Sequence, residues 1–233
     1  MRVLMFGWEF PPHIAGGLGT ACYGIVKGLV KNGVESIFVM PSASGDEDSQ
    51  VAEIVNASDV PVQVTGSMTV DDFLDKVQFV HIGTNMVPYL DPAEFHSLVE
   101  EDRKRQVRDF SIHYGQTYKF SGKYGSNLME EVARYAMVGG TIAMTHKGEF
   151  DVIHAHDWLT YMAGIAAKRL SGKPLVAHVQ ASSFDRSSDN NIDTRVSDSE
   201  KRGTEAAIRV IPVSGLSRKI VITKYGIHPS KVV

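Results

Sequence analysis

Cysteine is nearly missing from this 233-residue sequence, with Cys22 the only one. No internal disulfide is therefore possible, and a cysteine-based metal site has too few ligands. Also lacking is any apolar run near the roughly 20 residues that a membrane-spanning helix needs. The opening Met1-Arg2-Val3-Leu4-Met5-Phe6-Gly7 is too short for a signal peptide and has no small-residue cleavage site. Neither sign of charge dominates: 24 Lys and Arg stand against 27 Asp and Glu, a net charge of −3. That balance gives no footing for a nucleic-acid or anionic-membrane partner. Internal repeats and low-complexity tracts are absent too. Together these absences lead us to expect a cytoplasmic protein. What remains is an ordinary globular composition, 43% hydrophobic and 22% charged, in a length that permits one large domain spanning 1–233 or two small ones.

Two periods alternate along the chain. Residues 2–6 form a short apolar run, as in a buried parallel strand. Leu18, Ala21, Cys22, Ile25, Val26, Leu29 and Val30 then keep helical spacing until Gly33 closes the helix. A strand is expected over 36–40. The alternation returns with a strand over 151–154, a helix face from Leu159 to Leu170, and a strand over 174–179. A helix over 200–207, a strand over 208–213 and a last helix capped by Ser217 and ending at Gly226 follow. Between these stretches we expect a strand over 77–82, a polar helix over 91–108 and a long helix over 126–144. Gly139 and Gly140 weaken that long helix by roughly 1 kcal/mol each. Residues 41–59 and 109–125 read as surface loops. Strands alternating with helices mean βαβ units, so the fold class is α/β with a doubly wound, mostly parallel sheet.

Three patches carry chemistry. The first, Gly7 to Thr20, follows the first strand and runs into the first helix. Gly16 and Gly17 let a backbone approach a ligand, and open N–H groups at a helix start suit a phosphate or diphosphate. The order Gly-Gly-x-Gly does not match the dinucleotide fingerprint, and no Gly-Lys-Ser/Thr makes it a P-loop. From the residues alone, a loop whose glycines serve only a turn stays open as the alternative.

The second patch is His154-Ala155-His156-Asp157-Trp158, at a strand end. Residues two apart in a strand share a face, so both histidines can point into one cleft. Asp157 is placed to cap the helix that follows. A neutral imidazole here can hydrogen-bond a sugar hydroxyl; a metal pair and a structural cluster are the competing readings. Zinc would need a third ligand, and no histidine-rich partner is obvious, so no metal is assigned. The third patch, His178 to Arg186, is hydroxyl-rich and follows another strand. Glu200 and Arg202 on the next helix are read as a solvated face.

In this order the patches resemble the N-terminal domain of GT-B glycosyltransferases, in particular the glycogen- and starch-synthase-like group. The carriers are Arg2-Val3-Leu4-Met5, Trp8 to His13, Gly16-Gly17-Leu18-Gly19, Tyr124 to Leu128, Phe150 to Thr160 and Phe184-Asp185-Arg186. The ending, Tyr225-Gly226-Ile227 and Pro229 to Val233, is similar to the family's approach to its interdomain hinge. The match spans essentially the whole chain. It implies a Rossmann-like domain that holds the acceptor and lends Gly16 and Gly17 to the donor diphosphate. It also implies a second, C-terminal domain of the same polypeptide that holds the nucleotide sugar. His156 is implied near the transferred sugar, as the catalytic residue. Acceptor or sugar contacts are implied for Trp8, Glu9, His13, Asp157, Trp158, Gln180, Ser182, Asp185 and Arg186. The implied reaction is retaining transfer of a glycosyl unit, glucose by preference, from a nucleoside-diphosphate sugar to a glucan or oligosaccharide. The nucleotide sugar is a co-substrate, and neither a cofactor nor a metal is required.

Two departures bear on the substrates. Ile14-Ala15 stands where ADP-glucose enzymes have Lys-Thr before the glycine pair. Gln180-Ala181-Ser182-Ser183 stands where related sequences read His-Ala-Thr-Glu. The chain stops as a new apolar stretch begins at Val232, so we expect a truncated chain whose second half is elsewhere. Three other readings stay open: a UDP-sugar 2-epimerase, a sucrose-phosphate-synthase-like transferase, and a non-catalytic glycan-binding or regulatory module.

Overall fold

The computed structural model describes residues 1–62, 115, 117–124, 128–186 and 192–233. The expected strand over 77–82 and helix over 91–108 lie outside those residues. The strands are β1 (Arg2–Phe6), β2 (Glu35–Met40), β3 (Glu53–Asn56), β4 (Val152–His156), β5 (Leu175–Val179) and β6 (Arg209–Pro212). The α-helices are α1 (Gly17–Lys31), α2 (Leu128–Thr145), α3 (Trp158–Ser171), α4 (Ser183–Arg186), α5 (Thr194–Ala206) and α6 (Gly215–Thr223).

The six strands pair in parallel in the order β3-β2-β1-β4-β5-β6. A parallel sheet covered on both faces needs continuous apolar strands. Accordingly Leu4, Met5 and Phe6 of β1 and Ile37, Phe38 and Val39 of β2 have no exposed surface. The chain winds one way from β1 to β3 and the other way from β4 to β6. With right-handed crossovers, that reversal puts helices on opposite faces and opens a crevice beyond the carboxyl ends of β1 and β4.

Gly139 and Gly140 have a use that periodicity did not reveal. A Cβ on Gly139 would lie 2.8 Å from the Ala163 Cβ, and one on Gly140 would lie 2.8 Å from Leu170 Cδ1. Their bare backbone lets α2 pack against α3 at close range. Tyr135 of α2 reaches the sheet, where its hydroxyl donates to the carbonyls of Val39 (2.8 Å) and Gly7 (3.0 Å).

Four expectations need correction. Residues 53–56 form the edge strand β3, not part of a loop; with one neighbour and half-buried side chains it has no apolar signature. The strand expected over 151–154 runs to His156. Helix α5 starts six residues before Glu200, because Asp193 caps it by accepting from the N–H groups of Arg195 (2.9 Å) and Val196 (3.4 Å). Ser214, not Ser217, caps α6, accepting from Ser217 N–H at 3.1 Å.

Candidate functional site

The glycine loop leaves β1 and the His-Ala-His-Asp run ends β4, so both open onto the crevice between these neighbouring strands. Glu9, only 4% exposed, organises the loop from below. Its Oε2 accepts from the N–H groups of Ala15 (2.9 Å) and Gly16 (3.3 Å). Helix α1 then begins without a side-chain cap, because its N-cap residue is Gly16. Of the two glycines expected at a diphosphate, Gly16 already has its N–H engaged, whereas Gly17 is exposed with nothing within 4 Å of a Cβ. Gly19 differs. A Cβ there would meet Ile14 Cγ2 at 2.5 Å and Glu9 Cβ at 3.0 Å, so this glycine lets the loop close on the helix.

At the end of β4, His154 and His156 share one face, with ring centroids 4.3 Å apart. The register sets His156 beside His178 of β5, and those rings stack at 5.2 Å. Three imidazoles thus form one cluster, with the His178 ring 5.4 Å from that of His154. Burial holds all three pKa values below the ordinary histidine range, that of His154 down to about 3. They are neutral at physiological pH. The sequence offered no partner for the first pair, because His178 is distant in the chain and comes near only through strand pairing.

Asp157 holds the crevice wall together. It occupies the N-cap position of α3, yet its side chain does not cap that helix. Oδ1 instead accepts from the N–H groups of Gln180 (2.7 Å) and Ala181 (3.4 Å). Oδ2 stands 3.8 Å from Arg186. Burial pushes this carboxyl up to about 7, with Arg186 and the two N–H groups opposing. Its backbone sits at φ 58 and ψ 176, a region that costs a residue with a side chain about 1–3 kcal/mol. Such strain persists only where surrounding contacts fix it, and here they join the ends of β4 and β5.

The loop after β5 is fastened twice more. Ser182 donates its N–H (2.7 Å) and hydroxyl (2.8 Å) to Asp185 Oδ2, and Arg186 donates to the Ala181 carbonyl at 2.8 Å. Glu200 is buried, not a solvated face. It accepts from Ser183 N–H (3.0 Å), Ser183 hydroxyl (2.6 Å) and the Tyr225 hydroxyl. Gln180 stands over the histidine cluster, its side chain 3.4 Å from His156 Nδ1. Trp8 and Trp158 are buried in the core, Trp8 edge-on to Tyr135 at 5.6 Å. His13 is exposed and paired with Asp46 at 2.9 Å.

The histidine burial has a consequence for stability. With a folded pKa of about 3 against 6.5 unfolded, His154 leaves the unfolded chain binding a proton that the folded one refuses. Its neutral burial therefore costs nothing above pH 6.5, and stability is lost as pH falls from there toward 3. Between pH 7 and pH 5 the loss from His154 alone is expected to be about 2 kcal/mol. Denaturant titrations at both pH values, with chelator present, should show a smaller difference for His154→Gln.

An all-parallel sheet in this order, with two loops opening at its switch point, is the Rossmann-like architecture found in GT-B glycosyltransferases. The chain belongs to the starch synthase catalytic domain family, which it matches over residues 2–214. It is 22% identical over 186 residues to an uncharacterized glycosyltransferase of Methanocaldococcus jannaschii, covering 80% of this chain and 32% of that protein. Among solved structures, sucrose-phosphate synthase from Thermosynechococcus elongatus aligns with a TM-score of 0.54 and 11% identity, over 95% of this chain and 44% of that one. The catalytic domain of starch synthase IV from Arabidopsis thaliana, bound to ADP and acarbose, aligns with a TM-score of 0.47 and 15% identity, over 100% and 50%. The chain thus spans half or less of each of these proteins. Among the described residues, no helix is long and apolar enough to cross a membrane.

Proposed function

We propose that this chain is the acceptor-side half of a retaining glycosyltransferase that moves a glucosyl unit from a nucleoside-diphosphate sugar to an α-glucan end. A donor-nucleotide domain of the same polypeptide supplies the other half, in the cytoplasm, and no metal or cofactor takes part. One observation carries the reading: the uncapped start of α1 at Gly17 and the carboxyl end of β4, where the neutral His156 lies buried, meet at the same switch point. Departure of a nucleoside diphosphate develops negative charge, which the first-turn N–H groups of α1 are oriented to stabilise. His156 Nε2, without a partner among the described residues, hydrogen-bonds a hydroxyl of the transferred sugar. Asp157, Gln180 and Arg186 hold the wall behind it.

The test is turnover of ADP-, UDP- and GDP-glucose with a maltooligosaccharide acceptor. The 233-residue chain is expected to fold without turning over, and a polypeptide that includes the donor domain is expected to be active. Activity of the 233-residue chain by itself would sink the division of labour. Inactivity of the two-domain polypeptide with all three donors would sink the transferase reading.

Two glycines in one loop should behave differently. Gly17→Val has room in the fold, so melting should be unchanged while donor KM rises at least tenfold, because the side chain blocks approach of the diphosphate. Gly19→Ala should instead lower stability by about 1–3 kcal/mol through overpacking against Glu9. Melting curves and donor-dependent kinetics on the two variants separate these effects.

A further inference from the structure

We propose that His154, His156 and His178 form a binding site for a divalent transition-metal ion of the zinc class. The three side chains offer ligand nitrogens that all lie within 4.8 Å of one another. They are 8%, 0% and 9% exposed, and three of their nitrogens, Nε2 of His154, Nε2 of His156 and Nδ1 of His178, are buried without a hydrogen-bond partner among the described residues. Buried polar atoms are nearly always satisfied, so three orphans in one cluster call for a common explanation. A metal ion supplies it. Each neutral imidazole donates one nitrogen lone pair to the ion, and no other bond forms or breaks.

The chemistry of the donors selects the ion. Imidazole suits zinc, copper and nickel, whereas calcium and magnesium take oxygen ligands. Zinc–nitrogen distances of 2.0–2.1 Å in a tetrahedron set nitrogens about 3.3 Å apart, so an ion would draw the three rings together from a spacing within 4.8 Å. Three protein ligands leave a fourth position for water or a small anion. The backbone holds the cluster in place: His154 and His156 project from one strand, and His156 pairs in register with His178 on the next. With its amide turned so that Oε1 faces the ring, the Gln180 side chain, 3.4 Å from His156 Nδ1, accepts from Nδ1–H and leaves Nε2 free for the ion. Metal binding goes beyond the transferase reading and does not depend on it. If that reading holds, the ion and the transferred sugar compete for His156 Nε2, making zinc an inhibitor.

The experiment is titration of the 233-residue chain with Zn²⁺ against a chromogenic chelator, with Co²⁺ as a spectroscopic probe. One equivalent should bind, and Co²⁺ should give the intense visible bands of a four- or five-coordinate site. His154→Gln and His178→Gln should each weaken Zn²⁺ at least tenfold. His13→Gln, altering an exposed histidine outside the cluster, should leave affinity unchanged. Circular dichroism and melting curves confirm that each variant is folded, and the wild-type Co²⁺ spectrum stands independently of them. The proposal is overturned if the folded wild type binds no stoichiometric Zn²⁺, if bound Co²⁺ is octahedral, or if affinity follows His13 and not the cluster. Because the readout is binding, one Zn²⁺ bound by this chain supports the site even where the two-domain polypeptide proves inactive and the transferase reading fails.

Discussion

In a transfer-competent polypeptide, His156→Ala is expected to lower kcat by roughly 10²–10³-fold while changing donor KM far less. The imidazole is fully buried at the last position of β4, neutral, and has one nitrogen without a partner among the described residues. Under the proposed function its contact with the sugar would strengthen as the anomeric centre gains positive charge, and loss of an interaction made mainly in the transition state lowers kcat and kcat/KM together. His154 lies two residues earlier in β4, and its side-chain Nε2 has no hydrogen-bond partner among the described residues. Its alanine variant should melt lower with kcat changed several-fold at most. Steady-state kinetics beside melting curves decide the matter: a normal kcat for His156→Ala with a collapse for His154→Ala would exchange the two roles.

The largest expected loss of stability is at Glu200. Its carboxylate accepts from the N–H and hydroxyl of Ser183 and from the hydroxyl of Tyr225, all buried. Glu200→Ala strands these donors, each at about 1–3 kcal/mol, so a total near 3–5 kcal/mol is expected. At about 2–4 °C per kcal/mol for a chain of this size, melting should fall by about 10 °C or more. Glu200→Gln keeps an acceptor oxygen and should recover part of the loss. A melting temperature within about 2 °C of wild type for Glu200→Ala would show that the network contributes little.

How far the sequence spoke for itself can be judged at particular residues. The helix from Leu18 and the strand from Arg2 were legible because burial imposes a period on their side chains. β3 was not, since an edge strand of Glu-Ile-Val-Asn buries neither face fully. The order of the three chemical patches located the crevice, because each follows a strand of one parallel sheet. Pairings across that sheet were beyond local patterns. His178 joins the histidine pair only through register, and Asp157 serves the loop after β5, not the helix it begins. Glu200 looked like a solvated surface residue because its partners, Ser183 and Tyr225, lie 17 and 25 positions away.

The central position of β1 has a consequence for how the protein must be made. Arg2 bonds to Asp151, 149 positions later, where β1 meets β4. During synthesis β1 can pair with β2 early, but its other edge waits until β4 has left the ribosome. At about 5–20 residues per second that wait lasts on the order of ten seconds. Throughout it, Val3-Leu4-Met5-Phe6 presents an uncovered apolar edge, the kind of template on which chains stick to one another. Slower expression at low temperature, or a chaperone that shields the nascent edge, should therefore raise the yield of soluble protein more than any change of final buffer.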